Sequence, residues 1–353
     1  MHEIQEELMK HLCRYNVLSY ESCLHLLDPY ELFTPVERSY VFRPLTKHGY
    51  LKKHRDGAVT ILAKGRNLFP DIEPLIATGG GRQNIERVMQ VSRMAMLLAE
   101  IDIPSFGELR DTKWFYFIPS ACWRNIAPGI LSTTRFLGML MMPGKRRYAV
   151  YDIGDGKMEW QSLAESSLFY TKHSGYETCA TGMLFVCSEG KRIEVAQYII
   201  RQTMWYRKQL LRDDHIKRDK PARWSRAPIR MKANYKHVYL TTYKRLRQGI
   251  MRIYRENTIS PLFCLNAERI GSSAQAYYED WPYRYFCNPA CDLLKFANFF
   301  SAVKDSMELH KSMPHIPKEP YYAICIRPED RPIIEMYSDV MKMEGLEVYE
   351  YPT

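Results

Sequence analysis

The chain of 353 residues has no pair of cysteines at the CxxC spacing. Its nine cysteines are scattered, and the nearest two are Cys287 and Cys291. A structural zinc needs about four ligands in tetrahedral reach, and only Cys287, Cys291 and a remote His310 suggest themselves. The odd cysteine count and a polar, acidic start (Met1 to Glu7) give no sign of a secretory leader, so reduced thiols and a cytoplasmic protein are expected. No apolar run approaches the roughly 20 residues that span a bilayer, and no membrane partner is expected. GxSxG and HExxH are missing. The run Gly79-Gly80-Gly81 lacks the Gly-Lys-Ser/Thr ending and the preceding strand of a phosphate loop, so no nucleotide or other cofactor is expected. Acids are short too: 40 Asp and Glu stand against 50 Lys and Arg, a net charge of +10. That balance favours an anionic partner. With 46% apolar and 25% charged residues the composition is that of a folded chain, and the length suits about two domains.

What is present concentrates first at the N-terminus. Apolar residues at Ile4, Leu8, Met9 and Leu12 predict a helix, and Ser19 is a fitting N-cap for a second over 19–27. Thr34-Pro35-Val36-Glu37 reads as a capping box with proline in the first turn, opening a third helix that Gly49 would terminate. Pro44 falls inside that helix and is expected to kink and shorten it. Around Asp56-Gly57, the segments 50–54 and 58–62 predict a β-hairpin. Three helices and a hairpin make a winged helix-turn-helix plan, with the third helix in a major groove and the wing on the flanking backbone. Between Arg38 and Arg66 eight basic residues face one acid, Asp56. Arg38, Ser39 and Arg43 are the base-edge candidates, with Lys47, Lys52, Lys53 and Arg55 as backbone contacts. A protein-docking role for the same module is the alternative. The stretches Leu45 to Lys53 and Val59 to Arg66 resemble the recognition-helix end and wing of winged-helix repressors of the multiple-drug-resistance type.

Residues 1–77 are accordingly read as the DNA-binding domain, 78–113 as a connecting helix and linker, and 114–353 as an α/β domain. The helix, 83–101, carries a broad methionine-rich face suited to core packing, an inter-domain strut or a dimer contact. Beyond it, 135–142 and 147–153 flank Pro143-Gly144 as a hairpin. A helix at 163–173, a buried strand at 182–187 and a helix at 192–206 follow. Hairpin, helix, strand, helix is the core order of the PD-(D/E)xK nuclease-like fold. With the winged helix ahead of it, and with the Tyr148-to-Tyr170 and Met183-to-Arg192 stretches, residues 1–205 resemble the replication-relaxation family of mobile-element proteins. The resemblance implies an accessory protein of plasmid or conjugative-element transfer or replication that holds origin DNA beside a relaxase or replication protein.

A nuclease of this fold holds its metal with strand carboxylates and a nearby lysine. Here Ser132-Thr133-Thr134-Arg135 precedes the first strand, and Asp152 is the only carboxylate on the second, with no lysine beside it. Asp152 is at most a remote metal candidate. The domain reads as a nuclease scaffold kept for binding, with no catalytic residue assigned. An active metal-dependent nuclease and a dimeric transcription regulator or antitoxin-type repressor remain the rival readings.

A second basic belt runs over 201–255. There, seventeen Lys and Arg face three acids, with aromatics interleaved. Arg223, Trp224, Arg226, Arg230 and Lys232 are its DNA-contact candidates, offering phosphate contacts and stacking. From 293 to 351 the pattern predicts helix, strand, helix and closing strand.

Overall fold

Leu8, Met9, Leu12 and Cys13 line one face of the first helix, α1 (Glu3–Tyr15), and all four are fully buried. Its outer face is solvated, with Lys10 paired to Glu6 and Glu7. The structure, a computed structural model, describes residues 3–28, 33–75, 82–105, 115–120, 122, 136–144, 146–154, 182–201, 237–258, 268–270, 277–280, 283–288, 291–297, 299–300, 311–313, 321–335 and 346–350. The chain is mixed α/β and divides into two compact units, Met1–Lys145 and Arg146–Thr353.

In the first unit α1 is followed by β1 (Val17–Ser19), α2 (Tyr20–Leu27), α3 (Pro35–Lys47), β2 (Leu51–Lys53) and β3 (Ala58–Ile61). The expected caps form. The Ser19 hydroxyl accepts from the Ser22 N–H at 2.9 Å, and Thr34 and Glu37 close a reciprocal capping box. Gly49, at φ +72°, ends α3. The Tyr50 N–H reaches the Leu45 carbonyl at 2.9 Å and the Gly49 N–H reaches that of Thr46 at 3.1 Å, a Schellman motif. At the hairpin, Gly57 takes φ +83° after Asp56, and the Asp56 carboxylate accepts from the Ala58 N–H at 3.2 Å. The three strands form an antiparallel sheet in the order β1-β3-β2. β1 is an element the sequence did not announce, being three residues long.

Pro44 does not shorten α3. The helix runs unbroken through it to Lys47. Proline removes the N–H that would have bonded the Tyr40 carbonyl. That carbonyl instead accepts from the Gln5 side-chain amide of α1 at 3.4 Å, as does the Val41 carbonyl. A neighbouring helix thus supplies the donor that the proline lacks.

A short helix, α4 (Ala63–Arg66), closes the small sheet, and α5 (Arg82–Ala99) follows. Val88, Val91, Met94, Ala95, Met96 and Leu98 of α5 are buried. The Ser92 hydroxyl donates to the Tyr15 carbonyl at 2.7 Å, and Arg87 donates to the Phe136 carbonyl at 3.1 Å. α5 packs on β1 and β3 and also on β4 (Tyr116–Pro119) and β5 (Phe136–Met142), which pair antiparallel. Its wide methionine face therefore serves as core of the first unit, which extends past residues 77 and 113 to Lys145.

The second unit opens with β6 (Arg146–Gly154), β7 (Gly182–Cys187) and β8 (His237–Thr242), aligned in parallel. β7 and β8 are buried along their whole length, consistent with a parallel sheet covered on both faces. Gly182 is required by packing, since a Cβ there would lie 2.6 Å from the His237 carbonyl. Helix α6, described over 192–201, follows β7, and α7 (Leu246–Thr258) follows β8. A second, mixed sheet of five strands has the order β13-β12-β11-β10-β9. It comprises β9 (Glu268–Ile270), β10 (Tyr277–Asp280), β11 (Tyr283–Cys287), β12 (Tyr321–Ile326) and β13 (Leu346–Glu350), with α8 (Arg331–Glu335) after β12. β11, β12 and β13 run parallel, while β9 and β10 join antiparallel. The strands expected at 182–187 and 321–326 are present, and that expected at 346–351 is described over Leu346–Glu350; the helix expected at 163–173 lies outside the described residues.

Candidate nucleic-acid interface

Helix α3 has two faces of different chemistry. Val41, Phe42 and Leu45 are buried, and the Phe42 ring meets that of Tyr20 at 4.7 Å. Opposite them, Val36, Ser39, Tyr40, Arg43 and Lys47 are exposed. The buried face fixes which side chains α3 can present, and the Schellman turn leads directly into β2 and the hairpin.

The eight basic side chains from Arg38 to Arg66 separate into two groups of four. Arg38 pairs at 3.2 Å with the buried carboxylate of Asp28, which also accepts from the Phe33 N–H at 2.7 Å. Lys53 lies 3.6 Å above the Tyr20 ring, a cation–π contact joining the hairpin to α2. Lys64 donates to the His48 carbonyl at 3.0 Å and sits over the Tyr50 ring. Arg66 is bonded to the Asn16 side chain and to the Cys13 carbonyl, holding the left-handed Asn16 backbone between α1 and β1. These four stitch the unit together. Arg43, Lys47, Lys52 and Arg55 are exposed and have no ionic or hydrogen-bonded partner among the described residues. Arg43 and Lys47 stand one turn apart on α3, Lys52 on β2 opposite Thr60, and Arg55 in the hairpin turn.

Of the residues expected to meet DNA, Ser39, Arg43, Lys47, Lys52 and Arg55 thus stand exposed on α3 and the hairpin. Arg38 is committed to Asp28, because the carboxylate at the end of α2 is only 2% exposed and needs a cation to neutralise it. Lys53 is exposed but committed to Tyr20. Sequence reasoning passed over Val36 and Tyr40, although the i, i+4, i+7 and i+11 spacing of 36, 40, 43 and 47 places all four on one helical stripe.

Arg223, Trp224, Arg226, Arg230 and Lys232 lie outside the described residues. The described part of the 201–255 belt is partly core. Tyr239 is 1% exposed in β8, stacked on His237 at 5.5 Å and edge-on to Tyr148 at 5.7 Å, so it offers no free face for a base. Tyr243 donates its hydroxyl to Asp152.

In the second unit the carboxyl ends of β6, β7 and β8 gather polar groups, the usual place for a site in a parallel sheet. Asp152 lies two residues before the end of β6 and also accepts from the Gly154 N–H at 2.9 Å, with Gly154 at φ +56° and the β6–β7 register shifting between the two. Glu189 accepts from the Thr242 hydroxyl at 2.5 Å and from Arg245 at 2.9 Å. Glu329, held below the usual carboxylate range by backbone and arginine hydrogen bonds that outweigh its burial, bonds Arg252 at 2.7 Å and lies 3.4 Å from Arg245. Deeper, Arg192 pairs with Asp330, donates to the Glu329 carbonyl at 2.8 Å, and lies 3.5 Å from the Cys291 sulfur. Burial raises the Cys291 thiol well above its ordinary value. Each carboxylate described here is bonded to protein groups. Among the described residues no three of His, Cys, Asp or Glu come together as a metal-binding group. The side chain of Cys287 and the whole of His310 lie outside the described residues. No described helix is long and apolar enough to cross a membrane. Comparison with protein-family models, curated proteins and solved structures gave no match to this chain.

Proposed function

We propose that the first unit is a winged helix-turn-helix and that the chain is a DNA-binding protein. The observation that carries this reading is the division of the basic side chains. Four are used internally, while Arg43, Lys47, Lys52 and Arg55 are kept free on α3 and the hairpin, where a duplex would meet them. The element order helix, strand, helix, helix, hairpin, with the sheet order β1-β3-β2, supports it. In this reading α3 enters the major groove and the hairpin lies along the adjoining backbone. Cations with no internal partner break no internal bond when they turn to phosphate, and they release condensed counterions on binding.

By its resemblance to the replication-relaxation family, the chain acts as an accessory in plasmid or conjugative-element transfer or replication. It holds origin DNA beside a relaxase or replication protein, and its nuclease-like second unit binds without cutting. The internal bonding of Asp152, by Tyr243 and Gly154, supports that last point. Fluorescence anisotropy with a blunt duplex and a forked duplex of equal length tests the origin role. The forked duplex is expected to bind severalfold tighter. Equal binding of the two, with dimers on a two-fold symmetric site, would instead favour a transcription regulator or antitoxin-type repressor.

A further inference from the structure

We propose that Val36 and Tyr40 read thymine methyl groups, making them the sequence-selecting residues of α3. The proposal rests on the DNA reading above and extends it to base preference. Val36 is 61% exposed and Tyr40 is 70% exposed, although both are large and apolar over most of their surface. Single exposed apolar residues are ordinary on protein surfaces. Here, however, two lie one turn apart on the stripe that continues into Arg43 and Lys47. The helix cannot roll to cover them, because Val41, Phe42 and Leu45 already occupy its inner face and Gln5 holds the Tyr40 and Val41 carbonyls.

In the major groove the C5 methyl of thymine is the one apolar group that a base edge presents. Val36 has no hydrogen-bonding side-chain atom, so a methyl is the base-edge feature it can recognise. Four residues of helix advance about 6 Å, against about 3.4 Å for each base step. Val36 and Tyr40 would therefore address thymines within about two steps of each other, while Arg43 and Lys47 hold the neighbouring phosphates. Ser39, exposed between them, tolerates either base.

The test begins with the full chain selecting binders from a random duplex library. The enriched duplex is then prepared in two forms, with thymine or with deoxyuridine throughout. These differ only in the methyl groups and carry the same charge and the same hydrogen-bonding edges. Burial of one methyl corresponds to about fourfold in affinity, and of two to roughly fifteenfold. The thymine form is expected to bind tighter by that margin, and Val36→Ala with Tyr40→Ala should abolish the difference while leaving uridine-duplex affinity nearly unchanged. Arg43→Ala should weaken both forms alike. Equal affinity of the two forms, or a difference that survives both alanine substitutions, overturns the methyl-reading proposal and leaves DNA binding standing. A chain that enriches no duplex and binds none even at low salt overturns the DNA reading, and this proposal with it.

Discussion

Replacing Arg43, Lys47, Lys52 and Arg55 together with alanine is expected to lower duplex affinity on the order of 10³-fold near 0.1 M salt while leaving the fold intact. The size follows from counterion release. Each phosphate neutralised contributes about 0.9 to the dependence of log affinity on log salt, so four contacts account for a slope of about −3.6. The fold should survive because none of the four has an ionic or hydrogen-bonded partner among the described residues. The companion variant Arg38→Ala should behave oppositely. It leaves the buried Asp28 carboxylate without its arginine, so it should destabilise the first unit more than it weakens DNA binding. Anisotropy titrations and urea unfolding of the same preparations separate the two effects. Arg38→Ala matching the quadruple variant in DNA affinity at unchanged stability would refute the division of the basic residues into stitching and free groups.

The second large effect is expected in the second unit. Arg192→Ala removes the partner of Asp330, whose side chain is fully buried, and should cost about 3–5 kcal/mol near neutral pH. Lys191→Ala, one residue away, affects an exposed pair with Glu194 and should cost no more than about 0.5 kcal/mol. The pH dependence has a definite sign. Burial already raises Asp330 above its ordinary value against the pull of Arg192. Without the arginine its protonated form is favoured further. A group whose folded pKa lies above its unfolded one adds stability at low pH and loses it as pH rises through the folded value. The Arg192→Ala penalty should therefore shrink on acidification. Urea midpoints measured across pH give the result, and a penalty that grows towards acid would contradict the assignment.

Local signals in the sequence were legible where one residue type has one physical use. Thr34 and Glu37 cap α3, Ser19 caps α2, and Gly49 and Gly57 take the positive φ that their turns demand. Buried strands such as 182–187 are readable because both their faces are apolar. What stayed hidden depends on partners remote in the chain. Pro44 leaves α3 unbroken because Gln5 sits beside it, 39 positions earlier. Arg38 looked like a base reader until Asp28 claimed it. Tyr239 is one of the aromatics interleaved in the basic stretch 201–255, yet it belongs to a buried strand, since charge density along a chain says nothing about which residues pair into a sheet. β9, β10 and β11 are short segments that only their sheet neighbours define. At the candidate interface the cations were visible in the sequence, but which of them are free was not. That distinction required the ion pairs and ring contacts of the folded unit.

Duplex affinity of the full chain measured against salt tests the central claim most directly. Four phosphate contacts, at a slope of about −3.6, correspond to a loss of about 10² in affinity between 50 and 200 mM salt. The account predicts a loss of that size for the unaltered chain, with the slope reduced by about 3.6 when Arg43, Lys47, Lys52 and Arg55 are replaced. Absence of duplex binding at low salt, or an unchanged slope in the quadruple variant, would contradict it.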